Sequence, residues 1–171
     1  LGVSAIKFDP SNSNTIYIGT GDRDGGDAPG LGVYKSTDAG ATWNASNTGM
    51  GNESVGALII DPNNNNILLA ATSDGIFRST DSGANWTLTS SNTPFYKDIQ
   101  FNPGNSQIVY ATASGTFYRS TDNGVSWSSV GTTGGLPSSN RIVIGVSPAN
   151  ASYVYVMQTD QTSFQGMYRS S

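Results

Sequence analysis

The residues of this chain that could carry chemistry are almost all carboxylates. The sequence contains 12 Asp and Glu residues but no His and no Cys. This composition excludes imidazole and thiol nucleophiles, Ser-His-Asp triads, zinc fingers and disulfides. One acidic stretch is dense, because Asp22, Asp24 and Asp27 lie close together with two glycines between the last two. Any chemistry of this chain would therefore have to use carboxylates, and such a stretch is also a candidate site for a hard cation.

The spacing of these three aspartates is similar to the start of a calcium-binding loop. An EF-hand would require a glutamate near position 33, where the sequence has Val33. A calcium site of another type at Asp22, Asp24 and Asp27 stays open, and no other metal site or cofactor is predicted. The alternative for the same residues is a solvated turn of Asp and Gly.

Charge and hydropathy exclude two classes of partner. The chain has 8 Lys and Arg residues, scattered along the sequence, and a net charge of −4 at pH 7. Nucleic-acid binding requires a basic cluster, so nucleic acid is not an expected partner. No apolar run approaches the ~20 residues of a transmembrane helix, so insertion into a membrane is not expected either.

Copies of one unit make up the whole sequence. Three octapeptides of the pattern Ser-Thr-Asp-x-Gly-x-x-Trp begin at Ser36, Ser79 and Ser120, and residues 168–171 begin a fourth. Each follows an aromatic residue and a basic residue. Further upstream, an apolar segment of each unit ends at a proline that suits a tight turn. These prolines are Pro10, Pro62, Pro103 and Pro148.

Each unit is predicted to form four short strands, a to d. Four strands in about 40–45 residues are typical of a β-propeller blade. The predicted fold is all-β: a propeller segment of about four four-stranded blades, at 1–47, 48–92, 93–135 and 136–171, the last incomplete. Because four units would leave strand edges open, we expect these residues to be part of a longer chain that forms a larger closed propeller.

The octapeptides resemble the Asp-box, the Ser-x-Asp-x-Gly-x-Thr-Trp signature of sialidase-type and related propellers. The flanking residues look closest to xyloglucanase-like propellers, sortilin-type propellers and large secreted bacterial proteins with this repeat. The resemblance implies that the box is a structural turn between strands c and d, on the face away from the ligand. The implied structural residues are Ser36, Asp38, Gly40, Trp43, Ser79, Asp81, Gly83, Trp86, Ser120, Asp122, Gly124 and Trp127.

The residue types of the box support this structural role. A short Asp side chain accepts backbone N–H groups a few positions later, and the following Gly supplies the positive φ of the turn. The Trp buries a large apolar ring beside the turn. The preceding base is expected to belong to the same turn, so that the box is held together by its own unit.

The units differ in length between strands b and c. From the turn proline to the first box residue, the first unit has about nine residues more than the second and third, and the fourth about five more. These insertions, 22–30 and within 158–165, fall on the face opposite the box, where functional loops lie on a rigid scaffold. We expect the first loop to lie near Phe95 and Tyr96, with the second across the propeller mouth.

The candidate functional residues are the side chains on this face. Those predicted to bind ligand are Asp24, Asp27, Asp74, Phe95, Tyr96, Asp160 and Phe164. Phe95 or Tyr96 could stack on a sugar ring, and the alternative is that either one caps the interior of its blade. Xyloglucanase-like enzymes carry an acid directly after strand b of the first blade, and this resemblance makes Asp22 the candidate catalytic residue.

Three classes of function follow. The first is a secreted module that binds a glycan or an extracellular protein on the b–c face. The second is part of a xyloglucanase-like glycoside hydrolase, and the third is a structural or assembly propeller. The first is favoured because the candidate acids have no visible partner in sequence. The resemblance, with the absence of Cys and the polar surface, indicates a secreted or cell-surface protein of bacterial origin.

Overall fold

The computed structural model describes residues 2–24, 27–113, 115–130, 141–160 and 163–170, and in these ranges the chain forms β-strands and turns. The all-β prediction is confirmed. The strands are β1 (Val3–Asp9), β2 (Asn12–Thr20), β3 (Val33–Ser36), β4 (Asn44–Ala45), β5 (Val55–Asp61), β6 (Asn64–Thr72), β7 (Gly75–Ser79), β8 (Thr87–Leu88), β9 (Tyr96–Asn102), β10 (Asn105–Ala113), β11 (Thr116–Ser120), β12 (Ser128–Val130), β13 (Arg141–Val146), β14 (Val154–Thr159) and β15 (Phe164–Arg169).

These strands form four antiparallel meanders, which are the blades. The first three sheets have the orders β1-β2-β3-β4, β5-β6-β7-β8 and β9-β10-β11-β12, and the fourth has β13-β14-β15. The predicted boundaries at 47/48 and 92/93 fall between consecutive sheets, and the one at 135/136 lies outside the described residues. In the first three sheets, strand d begins one residue after the box Trp.

The turn between strands a and b is closed by the side chain that precedes the proline. Asp9 Oδ1 accepts the backbone N–H of Ser11 at 2.8 Å, and Asp61 Oδ1 accepts that of Asn63 at 2.9 Å. Asn102 Oδ1 does the same for Gly104 at 2.9 Å. This capping is the usual role of Asp and Asn at the first position of a turn.

The blades pack face to face, with strands β1, β5, β9 and β13 on the inside. Each of these inner strands contacts the next one along the chain. Apolar clusters fill the space between neighbouring blades: one includes Tyr17, Leu58 and Trp86, and the next includes Leu69, Ile99 and Val109. The sheets therefore follow one another around an axis, and the four described sheets do not close into a ring.

The Asp-boxes lie on the same face as the a–b turns. The backbone N–H of the fourth box residue donates to a carbonyl near the start of strand b in its own blade. These bonds join Ala39 to Asn14 at 2.9 Å, Ser82 to Asn66 at 3.0 Å and Asn123 to Gln107 at 2.8 Å. The b–c and d–a connections are thus on the opposite face, as predicted.

Within each box, the Ser and Asp side chains hold the turn as expected. In the first box, Ser36 Oγ accepts the N–H of Gly40 at 2.8 Å, and Asp38 Oδ1 accepts the N–H of Thr42 at 2.8 Å. The backbone has positive φ at two consecutive residues, Ala39 (58°) and Gly40 (90°). The sequence predicted this only for the Gly, yet Ser82 and Asn123 repeat the conformation at the fourth position.

The base and the Trp of each box region connect neighbouring blades, which corrects the prediction that the box is held by its own unit. Lys35 Nζ donates to the carbonyl of Ser82 in the second blade at 3.0 Å. Arg78 Nε donates to the carbonyl of Asn123 in the third blade at 3.0 Å. In the other direction, Trp86 Nε1 donates to the carbonyl of Ser46 in the first blade at 2.7 Å. The box turn is thus also an inter-blade joint.

The box carboxylates predict a loss of stability in acid. Hydrogen bonds from the Thr42 hydroxyl and N–H and from Ser36 lower the pKa of Asp38 from 3.8 to about 2. Hydrogen bonds from Asn85 lower the pKa of Asp81. Burial raises the pKa of Asp122, but hydrogen bonds from Ser126 and neighbouring groups lower it by more, so that this pKa is also below its usual value. A carboxyl with a lower pKa in the folded state stabilises the fold above its unfolded pKa and loses that contribution as the pH falls.

We therefore expect the urea concentration at the unfolding midpoint to decrease as the pH is lowered from about 4 to about 2. This window lies between the unfolded and folded pKa values of Asp38. A variant with Asp38→Asn, Asp81→Asn and Asp122→Asn keeps the side-chain shape but cannot ionise. Its midpoint should change less across this window. An equal change in the native protein and the variant would show that other groups control the acid response.

Candidate functional site

The insertion of the first blade lies between β2 and β3, and its described residues are 21–24 and 27–32. Only residues 73–74 separate β6 from β7 in the second blade. The carboxylate of Asp22 accepts the backbone N–H of Asp24 at 2.8 Å and that of Asp27 at 3.4 Å. The N–H of Asp22 in turn donates to the carbonyl of Ala28 at 3.0 Å. The side chain proposed as catalytic therefore folds the loop back on itself.

The end of the loop fits against the second blade through glycine. A Cβ at Gly30 would lie 2.2 Å from the carbonyl oxygen of Glu53, which is closer than real side chains approach backbone. The N–H of Gly32 donates to this same carbonyl at 2.9 Å. Glycine at position 30 thus permits a backbone-to-backbone contact that fixes the direction of the loop.

The tip of the loop reaches the third and fourth blades. Asp24 Oδ2 lies 3.1 Å from Arg141 Nη2 at the start of β13 and 3.5 Å from Arg23 Nε. Asp24 Oδ1 lies 3.9 Å from Lys97 Nζ on β9. These side chains are all roughly one third to two fifths exposed, so they form a charged surface at the mouth of the propeller.

Beside this surface, the inner strands line an open groove. The groove has a volume of about 270 Å³ and is lined by β1, β5 and β9 together with the loop residue Arg23. Its polar lining includes Lys7, Asp98 and Gln100. The loop residue Arg23 therefore lies at a groove whose lining carries charged side chains.

Asp98 is the buried carboxylate of this region. Its Oδ2 accepts the N–H of Ile144 in the fourth blade at 2.8 Å, and its Oδ1 accepts the N–H of Ile99 at 2.9 Å. Burial raises the pKa of Asp98, and these hydrogen bonds and the charge of Arg23 act in the opposite direction. Because both oxygens accept amides, Asp98 joins the inner strands of two blades.

Sequence reasoning missed four residues of this site: Arg23, Lys97, Asp98 and Arg141. A signal for Asp98 exists in the repeat, since the equivalent positions of the first and second units hold Ala5 and Ala57. The register confirms the equivalence, because Ala5 pairs with Gly19, Ala57 with Ala71 and Asp98 with Thr112. The three bases come together only through the path of the loop, which the sequence does not show.

The other predicted residues are dispersed. Asp27 and Asp74 are exposed, and the N–H of Asp74 donates to Thr72 Oγ1 in its own tight turn. The carboxylate of Asp160 accepts the N–H of Ser163 at 2.6 Å and Gln165 Nε2 at 2.6 Å, within its own loop. Phe164 is 66% exposed on the fourth blade.

Of the two predicted aromatics, only Phe95 faces the site. It is half-buried, with Lys97 Nζ 5.7 Å from its ring centroid. Tyr96 is fully buried; its ring centroid lies 5.0 Å from that of Tyr118, and its hydroxyl donates to Asn92 Oδ1 at 2.7 Å. The prediction that Tyr96 binds ligand is therefore wrong in this structure, and the ring caps the blade interior, as the alternative stated.

Within the described part of the chain, no group of three or more acidic residues is arranged to hold a metal ion. Asp22 and Asp24 instead use their carboxylates on backbone amides and on basic side chains. A calcium site at Asp22, Asp24 and Asp27 stays a prediction.

Comparison with known proteins identifies the family of this propeller segment. The model of the Sortilin-Vps10 family, described as sortilin, neurotensin receptor 3, matches residues 32–132, which contain all three complete boxes. The chain belongs to the Sortilin-Vps10 family. No curated protein matches it.

Several solved propeller structures are similar to this Sortilin-Vps10 chain. A GH74 enzyme of Niastella koreensis is 28% identical with a TM-score of 0.64, over 98% of this chain and 28% of the enzyme. The GH74 xyloglucanase of Xanthomonas campestris is 20% identical with a TM-score of 0.68, over 98% of this chain and 29% of the enzyme.

A third neighbour is the extracellular domain of a putative one component system from B. thetaiotaomicron. It is 18% identical with a TM-score of 0.70, over 98% of this chain and 20% of that domain. This Sortilin-Vps10 chain thus spans less than a third of each of these three structures. In the described ranges, no helix has the length and apolarity to cross a bilayer.

Proposed function

We propose that this propeller segment binds a ligand, a glycan or an extracellular protein, at the face formed by its b–c and d–a connections. The observation that carries the proposal is the contact of Asp24 with Lys97 and Arg141, which extends the first-blade loop across the propeller mouth. The second and third blades fold with two-residue connections at the same place, so the loop is not needed for folding. Exposed ion pairs of this kind add little stability, which leaves ligand binding as the better reason for the loop.

The chemistry of the mouth favours a glycan. Arg141 and Lys97 supply donors, Asp24 supplies acceptors, and Phe95 supplies an apolar face beside them. Sugar hydroxyls both donate and accept hydrogen bonds, while the C–H face of a sugar ring packs on aromatic rings. A few polar groups around an apolar contact are the usual composition of a binding site.

Binding is favoured over hydrolysis by the state of the carboxylates. A glycosidase needs two carboxyl groups facing each other across the scissile bond. Asp22 accepts amides of its own loop, and Asp24 is held by three basic side chains. Asp98 is buried and accepts amides from two blades. The described acids of the mouth thus have structural partners rather than a shared substrate position.

The test exchanges the loop in the full-length protein. Replacing residues 21–32 by the Ser-Asp turn of the second blade should lower affinity for a bound polysaccharide at least tenfold. Because Asp24 and the loop are removed while the core stays intact, the unfolding temperature should change little. Binding is measured by affinity electrophoresis and calorimetry on soluble plant and bacterial polysaccharides. Asp38→Asn, which changes an exposed acid on the opposite face, is the control.

An exchange that leaves all polysaccharide and protein binding unchanged would contradict the proposal and favour a structural or assembly propeller. The hydrolase candidate is supported by the GH74 neighbours. It is tested in the same samples by the release of reducing ends from xyloglucan. Release that Asp22→Asn abolishes without loss of binding would establish catalysis at Asp22.

We further propose that the protein acts outside the cell, either secreted or on the cell surface, and that its source is bacterial. The neighbour that is an extracellular domain of B. thetaiotaomicron supports this location, as do the absence of Cys and the scarcity of charged residues. Fractionation of the producing organism, followed by detection with an antibody, checks the location.

A further inference from the structure

The 8 basic residues of this chain fall into two groups. The first group directly precedes the box serines and occupies one cross-strand position of strand c in each blade: Lys35, Arg78, Arg119 and Arg169. The second group does not follow the repeat: Lys7, Arg23, Lys97 and Arg141. Every member of the second group lies at the mouth or lines the groove beside it. The repeat therefore explains half of the bases, and the other half gathers in one place.

The strands that carry these mouth bases do not require them. In the register of the inner strands, the position of Lys97 corresponds to Ser4 in the first unit and to Gly56 in the second. In the same way, Lys7 corresponds to Ile59 in the second unit. Strand a thus pairs with strand b equally well when these positions are uncharged. The basic charge at the mouth needs an explanation other than sheet formation.

One carboxylate, that of Asp24, lies between the bases of the mouth. Its Oδ2 is 3.1 Å from Arg141 Nη2 in the fourth blade, and its Oδ1 is 3.9 Å from Lys97 Nζ in the third. Arg23 Nε is 3.5 Å from Oδ2. A carboxylate is the planar anion that a guanidinium recognises best, and an ammonium group adds a second charge. The structure thus shows a place, between two blades, where a carboxylate is held by bases.

The positive charge at this place exceeds the negative charge of Asp24. Three bases lie within 4 Å of its carboxylate. The carboxylates of Asp22 and Asp98 accept backbone amides instead. Bases held close together repel one another, and an additional anion offsets that cost. Because the chain as a whole has a net charge of −4, this surplus is a local feature of the mouth.

Asp24 is held weakly enough to be displaced. Its side chain is 43% exposed, and those of its three partners are 30–37% exposed. Exposed ion pairs of this kind contribute little free energy, because water and salt screen the charges. A carboxylate of a ligand that makes further contacts, for example with the half-buried ring of Phe95, can therefore take the place of Asp24 at small cost.

We propose that the ligand of the mouth is an acidic glycan, a polymer that contains uronic acid residues, and that one of its carboxylates replaces Asp24 between Arg141 and Lys97. This inference rests on the proposed function, since it names the class of glycan that the same face binds. In the free protein, Asp24 fills the anion position and keeps the bases together. In the complex, Asp24 moves aside and its carboxylate accepts hydrogen bonds from sugar hydroxyls.

The experiment measures binding of the full-length protein to polygalacturonate, alginate, hyaluronan and glucuronoxylan. Each polymer is compared with its carboxyl-reduced form, in which every uronic acid has become the corresponding neutral sugar. The backbone is then the same and only the charge differs. We expect at least one acidic polymer to bind about tenfold or more tightly than its reduced form, as the loss of a charged partner at a binding site predicts. Dextran sulfate is included to test whether any polyanion suffices.

Variants of the mouth assign the effect to its residues. Arg141→Gln and Lys97→Gln should each weaken binding of the acidic polymer about tenfold or more and leave binding of the reduced form unchanged. Arg119→Gln is the matched control, because it removes one positive charge from an exposed strand c position of the box side. Asp24→Asn keeps an oxygen acceptor but removes the competing charge. It should therefore strengthen binding of the acidic polymer, by up to about fivefold.

The outcomes separate this inference from the proposed function. If neutral polymers bind, or if acidic and reduced forms bind equally, the inference is overturned, while loss of that binding in the loop exchange still supports the proposed function. Binding of dextran sulfate as tight as that of the uronic acid polymers would also overturn it, because the mouth would then recognise charge alone. Weaker binding of the acidic polymer by Asp24→Asn would show that Asp24 is a ligand contact rather than the group that is replaced, against the proposal.

Discussion

Replacing Asn123 with alanine should lower the free energy of unfolding by about 2–3 kcal/mol, because one oxygen of the buried Asp61 carboxylate loses its hydrogen-bond donor. Asn123 is buried in the third box, and its Nδ2 donates to Asp61 Oδ2 at 2.6 Å and to the carbonyl of Ser106 at 3.0 Å. Its Oδ1 accepts Arg78 Nη2 at 3.0 Å. Asp61 is 2% exposed, so water cannot easily replace the lost donor.

Ser82→Ala is the matched control, since Ser82 occupies the same position of the second box. Its hydroxyl donates to Asn66 Oδ1 at an exposed site, and the carbonyl that receives Lys35 stays in place. Its expected cost is below about 1 kcal/mol. Urea unfolding of the single variants and of Asn123→Ala combined with Asp61→Ala completes a double-mutant cycle. Equal costs for Asn123→Ala and Ser82→Ala would contradict the assigned role of Asn123.

The blades could be predicted from the sequence because their determinants are local. The turn prolines, the Ser, Asp and Gly of the boxes and the alternation of short apolar runs act within one hairpin. Their structural roles therefore follow from residue type and spacing, and residues such as Asp38 and Gly83 form the expected turns. Insertion 22–30 was equally visible, since the other units showed the minimal length.

The contacts between blades could not be predicted in the same way. The bond from Arg78 to Asn123 depends on how two sheets stack, and both residues had an adequate explanation within their own unit. The same is true of Arg141, whose partner Asp24 is brought near it only by the path of the loop. Tyr96 shows the reverse error: it is the first residue of β9 and its side chain lies in the core, whereas Phe95 precedes the strand and is half-buried.

Gly30→Ala should release the first-blade loop without unfolding the propeller. The added Cβ would lie 2.2 Å from the Glu53 carbonyl oxygen and 2.3 Å from the Ser54 nitrogen, and backbone cannot move aside as a side chain can. Overpacking of this kind costs about 1–3 kcal/mol. This cost destabilises only the seated loop, meaning the conformation in which position 30 contacts Glu53. A loop that has moved away from the second blade, the unseated loop, avoids the clash.

Trypsin cleavage after Arg23 measures this release. A cost of 1–3 kcal/mol corresponds to about a 5- to 150-fold larger unseated population, and cleavage should accelerate by the same factor when opening is fast. Gly145→Ala is the control, since its Cβ would lie at an ordinary 3.7 Å from Tyr155. If cleavage at Arg23 does not accelerate, the Gly30 contact does not hold the loop.

The same variant separates the two roles of the loop. Once it is unseated, Asp24 no longer lies beside Lys97 and Arg141, although all three side chains are still present in the chain. If ligand affinity depends on the assembled mouth, it should fall by the same factor as the fraction of molecules whose loop is seated, while the unfolding temperature stays nearly constant. If Arg141 and Lys97 bind the ligand without Asp24, affinity should be retained. Binding and cleavage measured on the same samples therefore show whether the loop is part of the binding site or only covers it.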